Sequence, residues 1–146
     1  MAEFQQYVWV DVDSTLAHYD GWKGIDHIGE PFPHAADFMT QLTILGEKSG
    51  FKVGVFTTRC KADMPGREDV ARYFGDTDED IAAALADKVE AWLKKHGILF
   101  DTVYVGQGKP PGIAYIDDRA VWCCPKTFGA KAAYDAALEG VVNLMR

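Results

Sequence analysis

Short apolar runs alternate with longer amphipathic segments along this chain of 146 residues. Runs of four or five apolar residues suit buried strands, whereas apolar residues spaced three or four apart suit one face of a helix. Because each parallel connection needs a long crossover, this alternation predicts an α/β fold, a three-layer Rossmann-like domain whose mostly parallel sheet is flanked by helices. The predicted strands are 7–10, 52–56, 101–105 and 113–116, and the predicted helices are 35–48, 77–96 and 130–138.

The two central helical patterns each have a predicted buried face and predicted ends. In the first, Phe38, Leu42 and Leu45 recur on one face, and Gly50 is a suitable stop. In the second, Thr77 begins a capping box and Gly97 is a suitable stop. The predicted apolar face of the second helix consists of Ile81, Leu85, Val89, Trp92 and Leu93.

Composition limits the class of protein and its partners. The net charge of −7 disfavours a broad nucleic-acid or anionic-membrane surface. No stretch approaches the roughly 20 apolar residues of a membrane span, and no secretory signal is expected from the N-terminal residues. Three cysteines, two of them adjacent, make a poor disulfide framework, so we expect a reducing, cytoplasmic location.

Asp11 and Asp13 follow the first predicted strand at a spacing of two residues. Alternate side chains of an extended chain share one face, so the two carboxylates converge at the carboxyl end of a strand, where α/β folds bind ligands. Two such acids repel each other unless a cation joins them or one is protonated. The spacing therefore favours a Mg²⁺ site, although a plain turn after a strand gives the same pattern.

Polar residues also flank two other predicted strands. Thr57, Thr58 and Arg59 end the second strand, and this combination suits either a bound oxyanion such as phosphate or an ordinary cap with a surface arginine. Lys109 lies in a loop before the fourth strand, and the glycine spacing of that loop excludes a nucleotide P-loop.

A second acidic pair, Asp117 and Asp118, follows the fourth predicted strand. In a parallel sheet the carboxyl ends of the strands lie on one edge. Phosphoryl transfer uses this mixture, since acids hold a metal, hydroxyl and ammonium groups hold phosphate oxygens, and a carboxylate can act as the nucleophile.

The four motifs together resemble those of the haloacid dehalogenase (HAD) superfamily of phosphohydrolases. The family pattern Asp-x-Asp-x-Thr matches residues 11–15, the family threonine matches Thr57, the lysine matches Lys109, and the terminal acidic pair matches residues 117–118. The resemblance implies a Mg²⁺-dependent phosphomonoester hydrolase, a phosphatase that acts through an aspartyl phosphate.

The resemblance also implies roles for individual residues. Asp11 is expected to attack phosphorus, Asp13 to act as the acid and then the base, and Thr57 and Lys109 to hold the phosphoryl group. Thr58 and Arg59 are expected substrate contacts. The metal is expected to bind Asp11, the backbone carbonyl of Asp13 and Asp117, with Asp118 contributing directly or through water.

Under the same resemblance, residues 1–146 form a single HAD-like catalytic domain without a full cap domain. The flap loop, residues 15–33, and the small insert, residues 60–76, are both too short for one. An almost capless site implies a large phosphorylated substrate, such as a protein or a nucleic-acid end, or a partner subunit that closes the site. A nucleotide or a sugar phosphate is an alternative substrate if the flap loop supplies enough contacts to it.

Two other functions are compatible with these residues. One is a non-enzymatic, receiver-like switch that is phosphorylated on aspartate, although receiver domains usually carry that aspartate after the third strand. The other is a binding protein with a vestigial HAD site, which the complete set of matching residues disfavours.

Overall fold

The computed structural model describes residues 4–60, 77–106 and 108–145. The chain divides into two compact units, one that ends at Ile116 and one that follows it. In the first unit the strands are β1 (Gln6–Val10), β2 (Phe51–Val55), β3 (Thr102–Val103) and β4 (Ala114–Ile116), and the helices are α1 (Ala35–Ser49) and α2 (Asp78–Lys95). The second unit contains α3 (Pro125–Phe128) and α4 (Ala130–Leu144).

The four strands form one parallel sheet in the order β3-β2-β1-β4. The prediction of an α/β fold with a parallel sheet is therefore confirmed for the described residues. Strand β1 is central, and its Val10 pairs in register with Val55 of β2 on one side and with Ile116 of β4 on the other. Val10 and Ile116 immediately precede the predicted site residues Asp11 and Asp117. Val55 lies two residues before Thr57.

Both α1 and α2 pack on the same face of the sheet. Valines of the strands alternate toward this face, as expected for strands that are buried on that side. They share one hydrophobic cluster with Met39 of α1 and with Val89 and Leu93 of α2. This cluster fixes the strands, and therefore the loops that leave their carboxyl ends.

Helix α2 matches its prediction closely. All five residues of its predicted apolar face are buried. The Thr77 hydroxyl caps the helix by accepting a hydrogen bond from the backbone N–H of Asp80, at 3.1 Å. Gly97, with φ of +66°, follows the helix end in the left-handed conformation that glycine adopts readily.

The predicted face of α1 is only partly correct, because Leu42 packs against the core whereas the other two predicted residues are exposed. The buried residues are Ala35, Met39 and Gly46, while Phe38 and Leu45 are 40% and 52% exposed. The cause is close approach to β2, because a Cβ at Gly46 would collide with the backbone carbonyl of Phe51. The face that packs is thus the one with small residues. Gly50 ends the helix as predicted, and its N–H donates to the carbonyl of Gly46 at 2.8 Å.

The other predicted elements were partly correct. Strand β3 is shorter than predicted, α4 is longer than predicted and includes the apolar residues 141–144, and α3 was not predicted. Residues 61–76 of the predicted insert lie outside the described residues. None of the described helices combines the length and the apolar character that crossing a lipid bilayer requires.

Candidate functional site

The strand order of the sheet reverses between β1 and β4. From β1 the chain continues through β2 to β3 on one side, and β4 lies on the other side of β1. In α/β sheets, the crevice at such a reversal, outside the carboxyl ends of the strands, is where ligands bind. The backbone N–H of Asp11 donates to the carbonyl of Ile116 at 3.0 Å, so Asp11 lies directly at this position.

A tight turn follows Asp11 and fixes the residues of the first motif. The carbonyl of Val12 accepts hydrogen bonds from the N–H groups of Thr15, Leu16 and Ala17, at 3.2, 2.8 and 2.9 Å. Ser14 has a φ of +62°, a left-handed conformation that is uncommon outside glycine and typical of functional loops. Because Val12, Leu16 and Ala17 are almost fully buried, the turn is anchored in the core.

Three carboxylates lie together at the ends of β1 and β4. One oxygen atom each of Asp11, Asp117 and Asp118 lies within 4.8 Å of the other two, and we call this group the carboxylate cluster. Asp117 and Asp118 are the residues attached directly to the end of β4. Backbone hydrogen bonds orient two of the carboxylates, since Asp11 accepts from the N–H of Val12 at 2.8 Å and Asp117 accepts from the N–H of Arg119 at 2.7 Å.

The carboxylate cluster has the chemistry that a hard divalent cation requires. Its donors are all oxygen, and three like charges at this separation repel one another until a cation joins them. With Mg–O bonds of about 2.1 Å, two ligand oxygens lie at most about 4.2 Å apart, so the cluster needs only small side-chain shifts to hold Mg²⁺. The buried Thr15 hydroxyl, in the same loop as Asp11, has no hydrogen-bond partner among the described residues, which is also typical of functional sites.

The Asp13 side chain binds an arginine. Its Oδ2 accepts from Nε of Arg59 at 2.6 Å, and its Oδ1 accepts from Nη2 of Arg59 at 2.9 Å. Both side chains are largely shielded from solvent, with exposures of 6% for Arg59 and 17% for Asp13. The pair therefore joins the loop after β1 to the turn after β2.

A short 3-10 turn, Thr58–Cys60, positions the arginine of this pair. The buried Thr57 hydroxyl accepts a hydrogen bond from the backbone N–H of Arg59 at 3.2 Å, and the Thr57 carbonyl accepts one from Cys60 at 3.2 Å. As an acceptor in this bond, the Thr57 hydroxyl keeps its own proton for another acceptor. Thr58, by contrast, is exposed.

Lys109 lies over an aromatic ring. Its ammonium group is 4.0 Å from the ring centroid of Tyr115, a residue of β4. The same ring is in edge-to-face contact with Phe56, the residue before Thr57, at a centroid distance of 6.0 Å. Lys109 itself is exposed, so the cation–π contact holds the ammonium group at the surface of the sheet unit.

The flap loop of residues 15–33 folds back on itself through an antiparallel stem. Ala17 bridges to Pro31, the N–H of His18 donates to Glu30, and the N–H of Phe32 donates to Leu16, both at 2.8 Å. The tip of the loop reaches the ion pair, because the guanidinium carbon of Arg59 lies 5.1 Å from the centroid of the Trp22 ring.

Sequence reasoning identified these polar residues but missed three of their partners. It did not predict the pairing of Arg59 with Asp13, the contact of Trp22 with Arg59 or the contact of Lys109 with Tyr115. No local signal marks such contacts, since each joins residues that are far apart in the sequence or depends on loop geometry. The closest available signal was an arginine in the segment after the buried strand β2, since β2 and the strand before the two acids were both predicted to end at the same edge of the sheet.

Comparisons with known proteins do not identify a relative. No protein-family model, no curated protein and no solved structure matches this chain.

Proposed function

We propose that this protein is a Mg²⁺-dependent phosphomonoester hydrolase, and that it is a small, three-layer HAD-like phosphatase without a full cap domain. The observation that carries the proposal is the position of the carboxylate cluster. It lies at the strand-order reversal, and one of its members, Asp11, is also the first acid of the Asp-x-Asp-x-Thr motif. The four motifs of that resemblance supply every group that the reaction needs.

In the first step of the proposed reaction, a carboxylate oxygen of Asp11 attacks phosphorus. A new bond forms between this oxygen and phosphorus as the bond from phosphorus to the leaving oxygen breaks. Asp13 gives a proton to that oxygen, which departs as an alcohol. The hydroxyl of Thr57 and the ammonium group of Lys109 hold the phosphoryl oxygens.

In the second step, water attacks the phosphorus of the aspartyl phosphate. Asp13 accepts a proton from this water, and the bond between phosphorus and the Asp11 oxygen breaks, which releases inorganic phosphate. The cation, when bound, neutralises charge on the phosphoryl group and on the nucleophile. Asp11, Asp117 and Asp118 would hold it, together with the backbone carbonyl of Asp13.

Exposure at the site supports a substrate that approaches from solvent. Thr58, Lys109 and Asp118 are exposed, whereas Asp11 and Thr57 lie deeper. Only the phosphate end of a substrate then needs to enter the site. This arrangement suits a phosphate carried by a larger molecule, or a nucleotide that the flap loop contacts.

The proposal is tested with a panel of phosphomonoesters: nucleotides, sugar phosphates, phosphopeptides and oligonucleotide ends, each with and without Mg²⁺. We expect hydrolysis that needs Mg²⁺ and is abolished in Asp11→Asn, while Asp87→Asn, an exposed aspartate of α2, behaves as wild type. Wild-type turnover by Asp11→Asn contradicts the assignment of the nucleophile. A small phosphodonor that leaves an aspartyl phosphate for many minutes without turnover favours the receiver-like switch instead.

A further inference from the structure

Arg59 lies between the proposed acid–base and the flap loop. Its guanidinium donates two hydrogen bonds to Asp13 and lies against the ring of Trp22. We propose that Arg59 is a positioning residue that orients the Asp13 carboxylate, and that Trp22 fixes the position of the Arg59 guanidinium. This inference rests on the proposed function, and it replaces the interpretation of Arg59 as a substrate contact.

The contacts that Arg59 already makes argue against a role as the anchor of an incoming phosphate. The residue is only 5% exposed, and at least two of its five N–H donors already bind Asp13. A phosphate anchor needs donors that an ion pair does not already engage, and the proposed anchors offer the hydroxyl proton of Thr57 and the exposed ammonium group of Lys109.

The geometry of the ion pair is suited to orienting a carboxylate. Two parallel hydrogen bonds from a planar guanidinium fix both the position and the plane of the carboxylate, which a single bond from lysine cannot do. Each oxygen of Asp13 keeps a further lone pair, so the ion pair leaves both oxygens able to contact a substrate. Proton transfer requires the acid within about 2.6–3.2 Å of the leaving oxygen, so a freely rotating Asp13 is a poor acid.

The pair also keeps Asp13 out of the carboxylate cluster. That cluster already contains three carboxylates, and a fourth negative charge among them increases the repulsion. Binding to Arg59 compensates the charge of Asp13. It also engages both carboxylate oxygens of Asp13, which would otherwise be available as side-chain ligands of a cation.

Trp22 connects this pair to the flap loop. The indole covers one part of the guanidinium, and removing water from a cation–π pair strengthens it. The flap stem is held by backbone hydrogen bonds at Ala17, His18 and Phe32, so a displacement of the loop tip is transmitted to Arg59 through the indole. A substrate that contacts the flap loop then changes the orientation of the Asp13 carboxylate.

The test compares two substrates that differ in their need for an acid. Release of 4-nitrophenolate needs little protonation, whereas release of an alkoxide, as from ethyl phosphate, depends on it. The value of kcat/KM reports steps up to release of the leaving group. The ratio of kcat/KM for the two substrates therefore measures how much protonation of the leaving group contributes to the rate. It is measured for wild type, Asp13→Asn, Arg59→Gln, Arg59→Lys, Trp22→Ala and Trp22→Phe, and for the double variant of Asp13→Asn with Arg59→Gln.

We expect Arg59→Gln to lower kcat/KM for ethyl phosphate by about 10²-fold or more, as loss of acid catalysis does, and for 4-nitrophenyl phosphate only several-fold. The double variant should be no slower than Asp13→Asn alone. Arg59→Lys should rescue part of the loss, Trp22→Ala should give a smaller loss of the same kind, and Trp22→Phe should approach wild type.

The inference is overturned if Arg59→Gln slows both substrates equally, or if its effect multiplies that of Asp13→Asn, since both results describe a substrate anchor. Urea unfolding shows whether each variant is folded. If Arg59→Gln does not fold, the decision rests on Arg59→Lys and Trp22→Ala, and equal slowing of the two substrates by these variants overturns the inference. A wild type that hydrolyses neither of these substrates nor any phosphomonoester of the panel above overturns the proposed function itself, and the inference falls with it.

Discussion

The Asp13 carboxylate and the Arg59 guanidinium form a two-pronged ion pair, 46 residues apart in sequence, that ties the loop after β1 to the turn after β2. Removing one partner of such a shielded pair leaves the other charge buried without compensation. We therefore expect Arg59→Leu to lower the free energy of unfolding by about 3–5 kcal/mol in urea denaturation of the metal-free protein.

The control for this prediction is an exposed ion pair of α4. Lys131 and Asp135 are 91% and 62% exposed, so Lys131→Gln should change the free energy of unfolding by only about 0.5 kcal/mol. Equal effects of the two substitutions would contradict the shielded character of the Asp13–Arg59 pair.

The carboxylate cluster makes a prediction that does not depend on activity. If Asp11, Asp117 and Asp118 hold a cation, Mg²⁺ should raise the melting temperature of the wild type, with about 2.7 kcal/mol of stabilisation at 100 times the Kd. Asp117→Asn should lose most of this increase. Without metal the same variant should melt above the wild type, because it relieves repulsion among the three carboxylates.

Melting curves with and without Mg²⁺ test this prediction, and Asp87→Asn serves as the control with an unchanged response. An equal Mg²⁺ response in wild type and Asp117→Asn would show that the cation binds elsewhere.

The buried face of α1 gives a matched pair of substitutions. Met39 is fully buried and Leu45 is half exposed on the same helix. Met39→Ala should lower the free energy of unfolding by about 2–5 kcal/mol, since it leaves a cavity in the core. Leu45→Ala should cost less than about 1 kcal/mol, because it removes little buried surface. Urea denaturation of both variants decides which face packs, and the reverse order would support the face predicted from sequence.

The outcome for α1 shows which structural features a sequence pattern can predict. The alternation of strands and helices, the buried face of α2 and the Thr77 cap all follow from periodicity and local chemistry, and the structure confirms them. The face of α1 does not follow, because it depends on how closely the helix approaches β2 at Gly46. Large apolar residues mark a face that could pack, but small residues decide which face can come closest.

The candidate site divides in the same way. In a parallel sheet the carboxyl ends of the strands lie at one edge of the sheet. The proximity of Asp11 to Asp117 therefore follows once β1 and β4 are known to be neighbours. The partner of Asp13 could not be predicted, because it depends on the turn after Asp11 and on the 3-10 turn that carries Arg59. Side-chain pairing at the end of a strand is set by loop conformation, which no short sequence pattern specifies.

Trp9 and Gly54 are register partners on β1 and β2, and the indole of Trp9 covers the glycine. A Cβ at position 54 would enter that ring, so Gly54→Ala should lower the free energy of unfolding by about 1–3 kcal/mol. Trp9→Leu removes the obstacle, so the double variant should be less destabilised than the sum of the single variants. Urea denaturation of the four proteins measures this coupling, and strict additivity would contradict the contact.

Cys124 makes a prediction about pH. A hydrogen bond with the Thr127 hydroxyl, with the two heavy atoms 3.1 Å apart, is the main cause that lowers the pKa of the Cys124 thiol, since it stabilises the thiolate. Thr127→Val removes this bond and should raise that pKa, so alkylation of Cys124 by iodoacetamide should begin at higher pH. Thr127→Ser keeps the hydroxyl and should keep the wild-type profile. The rates are followed by peptide mass spectrometry in a Cys123→Ser background, and coincident profiles for Thr127→Val and Thr127→Ser would show that the hydroxyl does not act on the thiol.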